Sequence, residues 1–252
     1  MGRVDNKEFL WYGLYAFAGF GLELLLIMVE NMFIIEETLF SDCLHWVLTS
    51  ILWGLMGFVL YKNSKNKLNY DIKNNNKIET KNIIISLILA VVVLVIKYFV
   101  VGGIKPIMEF NNLGAVRFVF QYIYYLFEVI LIILTIAFGQ KFFEVAGDGK
   151  NAAKYKIKAE TGHTSDNRIV NETKNKIKSE TVSEIENKTE NKVVPYGGLF
   201  LACTWGLMHI LTQDFSTGVY AFLVAIVYGV IYLLLNKNTR WAYLGILVLF
   251  VM

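Results

Sequence analysis

Apolar residues fall in seven stretches along the chain, with polar loops between them. The stretches are Phe9–Phe33, Cys43–Tyr61, Ile83–Val101, Val116–Phe143, Tyr196–Thr212, Thr217–Leu235 and Trp241–Met252. An α-helix needs about 20 apolar residues to cross a hydrocarbon core of about 30 Å. In lipid the backbone of such a run must satisfy its own hydrogen bonds, which dictates helix. The pattern predicts an all-α, polytopic integral membrane bundle of about seven transmembrane helices. The last stretch is short: its 12 residues make about 18 Å of helix. It is expected to stop near the midplane, with the carboxylate of Met252 close in depth to His209 and Lys97.

Charge orients the bundle. Six lysines follow the second stretch, from Lys62 to Lys81, and eleven basic residues lie between Lys141 and Lys192. Arg3 and Lys7 precede the first stretch, and Lys237 and Arg240 precede the last. The loop Ile34–Asp42 and the turn Gln213–Ser216 carry no basic residue. Basic and non-basic loops alternate, as the positive-inside rule requires. The expected N-terminus is cytoplasmic.

Three regions follow: helices one to four over residues 1–143, an insert over 144–195, and helices five to seven over 196–252. The insert is polar, and Lys156-Ile-Lys-Ala-Glu-Thr161 returns as Lys176-Ile-Lys-Ser-Glu-Thr181. That composition predicts a cytoplasmic, low-complexity, mostly disordered segment, although its Lys and Glu also favour helical stretches. The glycosylation patterns at Asn171 and Asn187 fall on its cytoplasmic side and are read as chance. A hydrophobic share of 56% and a mean hydropathy of +0.49 agree with a membrane protein. Wealth in Lys, Asn and Ile points to a bacterium, hence to the bacterial plasma membrane. Cys43 and Cys203 lie in separate stretches and form neither a disulfide framework nor a zinc pattern. The first stretch is too long for a cleavable signal peptide, and Asn6 breaks a myristoylation signal.

Polar residues inside the stretches carry the candidate chemistry, because ionisable groups are costly in a bilayer and normally face protein or water. Glu23 and Glu30 are seven apart, on one face of the first helix. Gln121, Glu128 and Thr135 repeat at seven on the fourth, with Tyr125 between them. Ala202, Trp205, His209 and Thr212 make a stripe on the fifth. Counting 1.5 Å per residue from the helix ends puts Glu23, Glu128 and His209 in one layer. Glu128 and His209 are the candidate catalytic pair. Glu23, Gln121, Tyr125 and Thr212 are the candidate lining of a polar cavity. Lys97 and Arg117 are read as snorkelling outward. Gly218, Ala221 or Phe222, Ala225 and Gly229 form a small-residue packing face. His45, His163 and His209 fall in three compartments, so no metal site is expected, and no cofactor either. Phosphate-loop, zinc-protease and nucleophile-elbow motifs are absent from the sequence. Nothing in the chain suggests a nucleic-acid partner.

Thr204-Trp-Gly-Leu-Met-His209, then a turn, an apolar helix with Gly229-Val-Ile-Tyr232, and Arg240-Trp-Ala-Tyr-Leu244 resemble the membrane CAAX-type endopeptidase and bacteriocin-processing family. The resemblance covers the C-terminal third. It implies a membrane-embedded peptidase in which a glutamate activates water and His and Asn stabilise the oxyanion, acting on a peptide or membrane-protein substrate. Glu128, or Glu144 at the helix end, corresponds to the family's glutamate. Its glutamate pair with a downstream arginine is missing from the fourth stretch. The one Glu-Glu pair is Glu36-Glu37, with Ser41 where the arginine would stand. The last helix reads Gly245-Ile-Leu-Val-Leu-Phe250 in place of the family's His and Asn. Such a chain is inactive or uses other groups. The alternative reading is a non-enzymatic membrane protein: an immunity or sensor component, or a small-solute or proton pathway.

Overall fold

The apolar stretches become helices, and no strand occurs among the described residues. The computed structural model describes residues 6–33, 38–73, 76–161 (backbone only from 148) and 194–252. We number the helices α1 (Asn6–Phe33), α2 (Leu39–Lys67), α3 (Thr80–Val101), α4 (Lys105–Thr161), α5 (Tyr196–Thr212), α6 (Phe215–Leu234) and α7 (Thr239–Val251). Five of them, α1, α2, α3, α4 and α6, are long and apolar enough to cross a membrane. The other two, α5 and α7, are apolar but shorter. Caps set several boundaries. Thr38 and Ser41 form a reciprocal capping box at α2, and Asp214 and Asn238 cap α6 and α7 through the amides of Thr217 and Trp241.

Two compact units emerge. One joins residues 1–142 to 195–252, and the other spans 143–194. In the second, the backbone is helical as far as Thr161, in line with the helical stretches that its Lys and Glu favour. That stretch is rich in Ala, Lys and Glu, all strong helix formers. Glu36, Glu37 and His163 lie outside the described residues.

Within the first unit α4 is the central helix. Leu131, Ile132, Ile136, Ala137 and Phe138 are fully buried. Glycines on its neighbours make room for it: Gly19 faces Leu131, Gly57 faces Ile130, and a Cβ at Gly197 would strike the Ile136 carbonyl at 2.2 Å. By contrast, α3 leaves Leu87, Val91, Val95 and Phe99 exposed, as a helix facing lipid does. The small-residue face of α6 packs on α5: a Cβ on Gly229 would lie 2.4 Å from the Gly198 Cα, and one on Gly218 would lie 2.0 Å from Ile210.

Two features were not readable from periodicity. Gly114 has φ 73° and ψ 168°, a backbone open chiefly to glycine, and it breaks α4. Residues 105–113 consequently fold back along the helix that follows. Glu109 meets Tyr122 at 2.9 Å, whereas thirteen residues of straight helix would hold them about 20 Å apart. The second feature is a π-turn over Ala202–Gly206 in the middle of α5. On the face rich in basic loops, the loop after α2 is sewn to the turn before α7. Asn76 donates to the Asn236 carbonyl, Asn236 to Lys77 and Asn238 to Asn76, and Thr239 bonds the Ile72 carbonyl.

Candidate functional site

A cavity of about 760 Å³ lies at the end of the first unit that carries the α5–α6 turn. α4 supplies Gln121, Tyr124, Tyr125 and Glu128 to its wall, because positions spaced by three, four and seven share one helical face. Trp205 and His209 of α5 line the same cavity, as do Lys97 of α3, Lys105 and Glu109 of the folded-back segment, and Phe250 of α7. At the rim stand Gln213 and Ser216, both exposed.

Glu128 is 9% exposed. The Trp205 indole lies beside its carboxyl, and the nearest charges acting on it are Glu23 and Lys105. His209 Nδ1 lies 2.8 Å from the Trp205 carbonyl. A carbonyl only accepts, so Nδ1 carries the proton and Nε2 is left with a lone pair in the neutral ring. The Trp205 ring, 4.4 Å away centroid to centroid, holds the imidazole edge-on. Among the described residues, Glu128 and His209 make no ion pair with each other. They line one cavity with space between them.

Tyr125 and Gln121 lie in that wall, and the Gln121 Oε1 is buried with no hydrogen-bond partner. Thr135, the third member of the stripe, donates to the Leu131 carbonyl and has no part in the cavity. Thr212 also lies outside it: it is exposed and donates to the Met208 carbonyl. Thr212 is the last residue of α5, where the helix that carries the stripe ends. Glu23 is not in the cavity wall either. It sits behind Tyr124, whose hydroxyl donates to it at 2.8 Å. On its other side His45 lies 3.3 Å from Glu23 and 2.7 Å from Glu30.

Sequence reasoning missed Lys105 and Glu109 because it placed them in a loop. Lys105 stands 4.3 Å over the Tyr125 ring and 3.6 Å from Glu109. Glu109 in turn accepts from Tyr122 and Tyr125. Lys97 does not snorkel. It is 8% exposed and bonds the Leu249 and Phe250 carbonyls at 3.1 Å each. Those are the last carbonyls of α7, which lack partners within the helix. Met252 lines a separate groove with Val91 and Tyr98. Arg117 pairs with Asp42 at 2.6 Å and does not reach outward alone.

Comparison with protein families, curated proteins and solved structures finds no match to this chain. The site must be read from its own chemistry. It offers a buried carboxyl, an imidazole with a fixed tautomer, and two ammonium groups, in a cavity walled by aromatic rings. No group of three or more His, Cys, Asp or Glu that could hold a metal occurs among the described residues.

Proposed function

We propose that the chain is a seven-segment protein of the bacterial plasma membrane, with its N-terminus and basic loops cytoplasmic, and that its cavity receives a peptide segment for hydrolysis. The observation that carries this reading is that Glu128 and His209 line one cavity of about 760 Å³. The resemblance of Thr204–His209 and Arg240–Leu244 to the membrane CAAX-type endopeptidases supports the same chemistry. In that reaction Glu128 takes a proton from water, and the hydroxide forms the new C–O bond at the carbonyl carbon. Lys105 neutralises the oxyanion, a role the neutral His209 cannot take because its N–H already faces Trp205. As the C–N bond breaks, the proton held by Glu128 reaches the leaving nitrogen directly or through His209 Nε2. Lys105 thus stands in for the oxyanion donors that are missing from α7.

The interior of α4 favours a dead-end cavity over a solute or proton path. Beyond Glu128 it is apolar and buried at Val129, from Leu131 to Leu134, and again from Ile136 to Phe138. A second reading, an immunity or sensor component that holds a partner's segment in the same cavity, is favoured by the apolar run Gly245–Phe250, where the family has His and Asn.

Purified protein in nanodiscs, incubated with a peptide library and read by mass spectrometry, tests the reading. Cleavage by the wild type should fall by about 10²–10⁴ in Glu128→Gln. Equal cleavage by both would refute the assignment of Glu128, and binding without cleavage would select the second reading. Orientation has its own test in intact cells. A membrane-impermeant maleimide should label Gln213→Cys and spare Asn69→Cys, and the reverse would invert the topology.

A further inference from the structure

A second polar cluster lies behind the cavity wall, and the chemistry above does not use it. Glu30, His45, Glu23 and Tyr124 form one continuous hydrogen-bonded chain, with links of 2.7, 3.3 and 2.8 Å. It starts three residues from the end of α1, on the side of the bundle that carries the Ile34–Asp42 loop. It ends at Tyr124, which belongs to the cavity wall along with Glu128, one helical turn further on.

The protons in this chain can be counted. Both ring nitrogens of His45 face carboxylate oxygens, and a neutral imidazole has only one N–H. Glu30, His45 and Glu23 must therefore hold two protons between them, as an imidazolium or as a neutral ring beside a carboxylic acid. The second oxygen of Glu30 is buried with no hydrogen-bond partner. The charged groups around the chain are few. α1 offers Glu23 and Glu30, α2 offers His45 and Asp42, and α4 offers Glu128 and Arg117. Arg117 and Asp42 neutralise each other. Trp53 packs against Tyr124 at 4.7 Å and donates to the Gly19 carbonyl, which holds the tyrosine in place.

We propose that Glu30, His45, Glu23 and Tyr124 are a side-chain proton relay that serves Glu128 from behind the cavity. A proton on Glu30 passes to His45 Nδ1 as Nε2 releases its own to Glu23. The Tyr124 hydroxyl, which donates to Glu23 at rest, then turns toward the cavity, and Glu23 gives its proton to the Tyr124 oxygen as the hydroxyl proton moves, through one bridging water, to the Glu128 carboxylate. Each group ends in the charge state it began with, except the first donor and the last acceptor. The relay matters when the cavity is occupied, because a segment that fills it displaces the water by which Glu128 otherwise exchanges protons. The proposal rests on the reading of the cavity only in that Glu128 gains and loses a proton there.

The test uses the full chain in nanodiscs, with Cys43 and Cys203 replaced by Ser and Gln213→Cys at the rim. Infrared spectroscopy after a pH jump follows the protonated-carboxyl band that Glu128→Gln removes. With the rim sealed by a bulky maleimide, that band should still follow pH in the parent. In His45→Gln and Glu23→Gln it should respond at least about tenfold more slowly. Unsealed, parent and variants should respond alike, which also shows that each variant is folded. Tyr124→Phe removes one hydroxyl from the same path and carries the comparison should His45→Gln fail to fold. Sealed variants as fast as the sealed parent would overturn the relay. So would a sealed parent whose Glu128 no longer responds. No substrate enters the measurement, so a failure of the hydrolytic reading leaves this result standing.

Discussion

Substituting Gly229 with alanine tests whether the α5–α6 contact sets the cavity. A Cβ there would stand 2.4 Å from the Gly198 Cα and 2.5 Å from its nitrogen, with backbone on both sides and no side chain free to turn away. Restoring an ordinary carbon contact of about 3.5 Å requires the two helices to part by about 1 Å. Overpacking of that kind costs about 1–3 kcal/mol. Helix propensity works the other way, since alanine is favoured over glycine by about 1 kcal/mol. The expected net loss is therefore about 0–2 kcal/mol. Gly21→Ala is the matched control, because a Cβ at Gly21 meets nothing within 4 Å and only the propensity gain applies. Unfolding in mixed micelles, followed by helical circular dichroism, should place Gly229→Ala below the parent and Gly21→Ala at or above it. The same separation would carry Trp205 and His209 away from α4, so peptide binding should weaken in step with stability. If Gly229→Ala proved as stable as Gly21→Ala, the close approach of α5 and α6 would be refuted, and with it the placement of His209 opposite Glu128.

Three further expectations follow from single contacts. Trp53 is fully buried and donates to the Gly19 carbonyl at 2.9 Å. Trp53→Phe should cost about 2–3 kcal/mol in thermal unfolding through the lost bond and the space left behind, and an unchanged melting temperature would refute that. Lys97→Met leaves the Leu249 carbonyl without its donor and the Phe250 carbonyl with Lys105 alone, at about 1–3 kcal/mol, and hydrogen exchange over the last turn of α7 should accelerate. Asp214 is held below the usual carboxylate range by the hydroxyl and then the amide of Thr217. A depressed carboxyl stabilises fully above its unfolded value and loses that contribution as pH falls through the folded one. Amide exchange at the start of α6 should therefore rise only below about pH 4, and Asp214→Asn, which keeps the cap, should abolish that rise.

The helices and half of the site were readable before any coordinates. Long apolar runs fix α1 to α4 and α6, since lipid leaves the backbone no alternative. Gln121, Tyr125 and Glu128 could be grouped because a continuous helix brings spacings of three, four and seven to one face. The same rule fails where the backbone departs from the ideal. Nineteen residues separate Glu109 from Glu128, about 28 Å along a straight helix, and only the reversal at Gly114 brings Glu109 to the cavity. A glycine before an apolar run does not announce such a reversal. The π-turn in α5 leaves the hydropathy pattern unchanged. Its one local sign is Thr204, whose hydroxyl bonds the carbonyls of Phe200 and Leu201, followed by Gly206, where a Cβ would press on the Phe222 backbone at 2.8 Å. His45 was assigned to the outer rim. The clue to its partners was present in Glu23 and Glu30, seven apart and opposite the start of α2.

The asparagine stitch between the loop after α2 and the turn before α7 bears on covalent continuity. Its partners are about 160 positions apart in sequence, and residues 1–142 and 195–252 make one compact unit across the break. The first unit is therefore closed by contacts between segments far apart in sequence, and the cost of joining such segments through an intervening chain grows only slowly with its length. Residues 1–142 and 195–252 expressed as separate polypeptides should find each other in the membrane and reassemble. A reporter domain spliced into residues 162–193 should be carried without disturbing the cavity. The gene is in effect already divided at the place where an engineer would choose to cut it.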